Sequence, residues 1–136
     1  MQAWLAYSLL AFGFWGVWGL VTRLAMLHLK PTTVFFYEIM GGAILTVLLI
    51  PFIGWPQAGN SKGLFLALLS GVTLILGHLC FLYAIDKGKI STVLIISSLY
   101  SILTIVLAFA VLSETVSLRQ AVGIVLGLIA MTLISA

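Results

Sequence analysis

Residues 35–42 read FFYEIMGG, and they place one carboxylate, Glu38, inside an otherwise apolar run from Val34 to Ile50. An ionisable side chain at the centre of a bilayer costs about 2.5 to 3.5 kcal/mol on insertion scales, so Glu38 is expected to face the interior of a helix bundle. Three and four residues on, Gly41 and Gly42 remove bulk from the same helical face and leave room for water, a ligand or a close helix. A carboxyl withdrawn from water is a group that can exchange a proton for a cation or a substrate. The competing reading is a fixed bond or ion pair with His78, or with Arg23 reaching in from the end of the preceding apolar stretch. His78 precedes Asp86 by eight residues and so lies roughly 12 Å in from that connector, while Glu38 lies roughly 9 Å in from Thr32, at 1.5 Å per residue. If both connectors lie on one side, the two groups meet at similar depth.

Three further constellations could carry chemistry. Ser8, Trp15, Trp18 and Thr22 follow at spacings of 7, 3 and 4, which puts them on roughly one stripe of a helix. Tryptophan favours bilayer interfaces, yet Trp15 and Trp18 fall near the middle of their stretch; their faces either line a cavity for an apolar or cationic ligand or fill helix contacts. Ser97, Ser101 and Thr104, with Tyr100 beside them, make a polar stripe that either faces a substrate path or bonds to helix carbonyls and neighbouring helices. The run GIVLG sets Gly123 and Gly127 four apart, a pattern that lets two helix backbones approach closely. No nucleophile–base set, metal-ligand spacing or phosphate-cradling loop occurs, so no catalytic residue, metal or cofactor is expected.

The elements that hold these residues follow from composition. Of 136 residues, 63% are hydrophobic and 7% charged, and the mean hydropathy is +1.32. Such a chain has a lipid bilayer for its solvent. Arg23, Lys30, Lys62, Asp86, Lys87, Lys89 and Arg119 fall between apolar stretches or at their edges. The net charge of +3 is too diffuse for a nucleic-acid footprint. Cys80 has no partner for an intrachain disulfide, and reads as a small hydrophobe. Five stretches approach the roughly 20 apolar residues that a span needs: Ala3 to Leu24, Thr33 to Ile53, Gly63 to Ile85, Ser91 to Leu112 and Leu118 to Ala136. The expected fold is all-α, a single domain of five transmembrane helices joined by short connectors. The first stretch lacks the basic flank of a cleavable signal peptide and is read as a permanent span. Asp86 is expected in a solvated turn, His28 at the interface, and Glu114 among the groups that cap the last helix. Connectors one and three carry Arg23, Lys30, Lys87 and Lys89, against Lys62 and Arg119 on the other side, which favours an outside N-terminus by a narrow margin.

From Tyr83 onward, Tyr83-Ala84, Gly88, Ser98-Leu99-Tyr100, Thr104, Glu114, Gln120, Gly123 and Gly127 occur in an order that resembles the second half of an EamA-type domain of the drug/metabolite transporter superfamily. FGFWGVWGLVTRLA, with Phe14-Trp15-Gly16, is similar to the first-helix signature of the same family. Two positions depart from it: Ser101 stands where a proline commonly breaks the fourth helix, and Glu38 where many members carry arginine. The resemblance implies one five-helix half-repeat of a ten-helix fold built from two inverted repeats, with substrate held between the repeats. It therefore implies pairing, as a homodimer, in which an antiparallel arrangement recreates the inverted symmetry, or with a homologous half-transporter. Gly123 and Gly127 are then the expected dimer contact. The expected function is proton-coupled secondary transport of small metabolites or drug-like compounds in a bacterial inner membrane, with Glu38, Trp15, Trp18, His78, Tyr100, Ser97, Ser101 and Thr104 binding substrate or coupling ion. The alternative is a non-transporting membrane subunit that packs against a partner chain or presents a lipid.

Overall fold

A computed structural model describes residues 3–57, 59–112 and 117–135. Among these the chain is helical apart from short connectors, and it divides into two compact units, Met1–Asp86 and Lys87–Ala136. The first unit holds α1 (Ala3–Met26), α2 (Pro31–Ile53) and α3 (Ser61–Lys87), whose last residue already belongs to the second; the second holds α4 (Ile90–Ser98), α5 (Tyr100–Leu112) and α6 (Leu118–Ser135).

The helix ends have local causes. Pro31 opens α2 at the position where a missing N–H costs nothing. Gly54 ends it at φ +80°, a conformation that a side chain would strain, and its N–H reaches the Ile50 carbonyl at 2.9 Å. Asn60 caps α3, accepting the Lys62 N–H at 2.9 Å and the Gly63 N–H at 3.3 Å through its side-chain oxygen. Ser117 and Gln120 form a capping box on α6: the Ser117 N–H donates to the Gln120 side chain at 2.9 Å and the Gln120 N–H to the Ser117 hydroxyl at 3.3 Å. Glu114, expected to share in that cap, lies outside the described residues.

The expected helix over 91–112 is two helices. The ladder is interrupted at Leu99, whose N–H turns back to the Ile96 carbonyl at 3.2 Å while its own carbonyl accepts from Ile102 at 3.0 Å. Such three-residue tightening separates α4 from α5 without a proline. The hydroxyls of Ser98 and Ser101 donate to backbone carbonyls on either side of the break, at Ile95 and Ser98; serine bonding of this kind bends helices.

Ala3–Met26, Pro31–Ile53, Ser61–Lys87 and Ile90–Val111 are each long and apolar enough to cross a bilayer, and α6 carries a further apolar stretch, Leu118–Ala130. Large apolar side chains are mostly exposed, from Trp4 and Phe12 to Leu133. In lipid this is no fault, because acyl chains are as apolar as leucine and helix association rests on packing and polar contacts. The buried side chains of the first unit, Thr22, Pro31, Val34, Leu82 and Ile85, sit toward the end where α1 passes into α2 and where α3 terminates. The Arg23 guanidinium ties that end together by donating to the Ile85 carbonyl at 3.0 Å. A cation there also complements the negative end of α3.

Candidate functional site

Glu38 lies on the second turn of α2, and its carboxylate meets side chains of both other helices in its unit. From α1, the Trp18 Nε1–H donates to Oε1 at 3.1 Å and the Thr22 hydroxyl donates to the same oxygen at 2.5 Å. From α3, the His78 Nε2 stands 2.7 Å from Oε2. With the carboxylate ionised, that nitrogen carries the proton and donates. The i, i+4 spacing of Trp18 and Thr22 aims both donors at one point. The side chains of His78 and Glu38 retain 16% and 22% of their exposure. The pair is therefore shielded but still reachable.

Aromatic rings flank the imidazole side of the pair. The His78 ring lies 5.4 Å from Trp18 and 5.9 Å from Phe35, centroid to centroid, and Trp18 stacks on Phe81 at 5.3 Å. Phe35 is three residues before Glu38 and Phe81 three after His78, so each helix supplies one polar group and one ring to the same cluster. The arrangement can do three things: hold a proton between a carboxyl and an imidazole, exchange that proton, and present aromatic faces to a ligand.

Of the residues expected from the sequence, Glu38, His78 and Trp18 converge. Trp15 does not. It is 64% exposed and takes no ring contact or hydrogen bond among the described residues. Its angular position matches that of Thr22, but it sits about 10.5 Å further along the axis, at 1.5 Å per residue, where α1 has lost its neighbours. Arg23, one of two partners open to Glu38, goes to the Ile85 carbonyl instead, leaving the imidazole as the partner. Thr22, Phe35 and Phe81 complete the cluster. Helical spacing from Trp18, Glu38 and His78 is the signal that picks them out.

The other expected residues lie in the second unit. The Ser101 hydroxyl donates to the Ser98 carbonyl at 2.8 Å and the Thr104 hydroxyl to the Tyr100 carbonyl at 3.0 Å, so both serve their own helix. Ser97 is half-buried and Tyr100 is 60% exposed. At Gly123 and Gly127 a methyl group would meet nothing within 4 Å, so that face of α6 has no close neighbour among the described residues.

Residues 2–136 match the EamA-like transporter family. The chain belongs to that family. EamA-like transporters are membrane proteins of the drug/metabolite superfamily, and this chain is accordingly an integral membrane protein. It is also similar to an uncharacterized protein of Methanocaldococcus jannaschii, 40% identical over 76 residues, a stretch that spans 56% of each chain. No solved structure matches it.

Proposed function

We propose that this EamA-like chain is a proton-coupled secondary transporter of small metabolites or drug-like compounds, in which Glu38 carries the coupling proton and His78 is its exchange partner. One observation carries this reading: a carboxyl on a membrane-spanning helix points toward the two neighbouring helices and takes an imidazole at 2.7 Å. A carboxyl and an imidazole so close can pass a proton between them and respond to a ligand that separates them. The aromatic rings around the pair suit amino acids, other metabolites or aromatic and cationic compounds.

A second five-helix unit completes the site in this reading, as a second copy of the chain, most simply antiparallel, or as a homologous half-transporter. The uncovered face of α6 at Gly123 and Gly127 supports it. If native mass spectrometry of the protein released from its membrane finds only single chains, neither homodimer nor paired half-transporter survives. The membrane in question is the cytoplasmic one.

The saturation of Glu38 by three donors favours a second reading, in which the cluster is a fixed clamp within a non-transporting subunit. Glu38→Gln separates the two, because glutamine keeps size and hydrogen bonding but cannot titrate. In proteoliposomes under a pH gradient, the variant is expected to fold and bind while losing the pH dependence of flux. Flux with unchanged pH dependence removes Glu38 as the coupling group, and a variant that fails to fold makes the cluster a clamp.

A further inference from the structure

At the end of the first unit where α1 turns into α2, a cleft of about 560 Å³ opens between residues 26–32 and the last turn of α3. It is shallow and largely open, so what it holds is bound at the surface and not enclosed. Lys30 and His28 line one side and Asp86 the other, with the Tyr83 ring beside it. Opposite charges thus border one cleft, yet no ion pair joins Asp86 to Lys30 or His28 among the described residues. Leu27 and Pro31 add an apolar lining between them. The cleft also lies where two long apolar helices, α1 and α2, are joined by a four-residue connector, which fixes its depth at the boundary of hydrocarbon and water.

We propose that this cleft binds the headgroup of a zwitterionic phospholipid bearing a primary ammonium, of the phosphatidylethanolamine type. A phosphate accepts from the Lys30 ammonium, the His28 imidazole and the Tyr83 hydroxyl, and the headgroup ammonium donates to the Asp86 carboxylate. The charges stay apart because the ligand supplies the counterpart of each. Leu27 and Pro31 meet the glycerol and the upper acyl segment, and the deacylated headgroup in water lacks the acyl part of that contact. An anionic lipid satisfies Lys30 but sets its charge against Asp86, and a choline headgroup offers Asp86 no N–H. This site is separate from the Glu38 cluster and stands or falls without it.

The test uses the intact chain taken from vesicles containing equal parts of phosphatidylethanolamine, phosphatidylcholine and phosphatidylglycerol, with retained lipid counted by native mass spectrometry. Phosphatidylethanolamine is expected in excess, with retention falling as its nitrogen is methylated stepwise. Lys30→Gln and Asp86→Asn are each expected to lower the preference roughly two- to fivefold, the range of an exposed ion pair. Lys62→Gln, outside the cleft, should leave it unchanged. Equal retention of the three lipids overturns the proposal, as does a preference untouched by Asp86→Asn. Because the methylation series needs no mutation, a variant that misfolds does not shelter the idea. Soluble glycerophosphoethanolamine provides the last arm: if it displaces the lipid at equal concentration, the ligand is a solute and the membrane assignment is wrong.

Discussion

The Glu38 cluster and the stretch around the α4–α5 break handle polar groups in opposite ways. In the first, the Glu38 carboxylate gathers Trp18 and Thr22 from α1 and His78 from α3, partners 16 to 40 residues away. At the second, the hydroxyls of Ser101 and Thr104 reach carbonyls three and four residues back on their own backbone, as those of Ser8, Thr46 and Thr73 do in the first unit. The difference lies in what each group demands. A hydroxyl donates one hydrogen, and a helix always offers a carbonyl one turn earlier; a carboxylate only accepts, and a helix interior has no free N–H to give it. An acid within a span must therefore recruit side chains from other helices, and in doing so it joins them.

Four substitutions can break or sharpen this contrast. The largest effect is expected for Glu38→Ala, which leaves three donors without their acceptor; roughly 2 to 4 kcal/mol of stability should be lost, at or below the cost of breaking a fully buried pair because the group is partly exposed. Denaturation of the micelle-bound protein with sodium dodecyl sulfate measures it, and a loss under half a kilocalorie would show that the cluster does not join the helices. Thr22→Val keeps the shape and removes one donor of three. It should cost about 1 to 2 kcal/mol, the scale of a hydrogen bond to a charged group. The smallest effects are expected for Ser101→Ala and Thr104→Val, each within about 0.5 kcal/mol, since freeing a carbonyl already bonded within its helix leaves nothing unpaired. A large loss at either would mean that these hydroxyls also serve another helix, and the contrast between carboxylate and hydroxyl would fail.

How legible each part was follows from the same physics. The helices could be read because long apolar runs admit little else in lipid, and Glu38 stood out because acids there are rare. Its pairing with His78 was open to depth arithmetic, since topology returns α3 to the side where α2 begins. Arg23 was the wrong alternative for a reason that apolar patterning does not carry: the exposed carbonyls at the end of α3 compete for it. Trp15 stands apart from the Glu38 cluster because a helical stripe defines a face and says nothing of where along that face the neighbours stop. The break at Leu99 was masked by the absence of proline, the residue that ordinarily marks such a place. The cleft beside Lys30 went unread, because Asp86 looks like an ordinary turn residue until the structure sets it opposite His28.

The bond from Arg23 to the Ile85 carbonyl joins residues 62 positions apart. At about 5 to 20 residues per second of synthesis, that interval corresponds to roughly 3 to 12 seconds during which α1 exists and its acceptor does not. Glu38 emerges within the first part of that delay and can engage Trp18 and Thr22 at once; His78 comes later, and Ile85 last. Assembly at the ribosome thus has a prescribed order, with a two-helix hairpin closed first on its acid. Until α3 arrives, the guanidinium must wait at the membrane surface, where water and lipid headgroups keep it solvated.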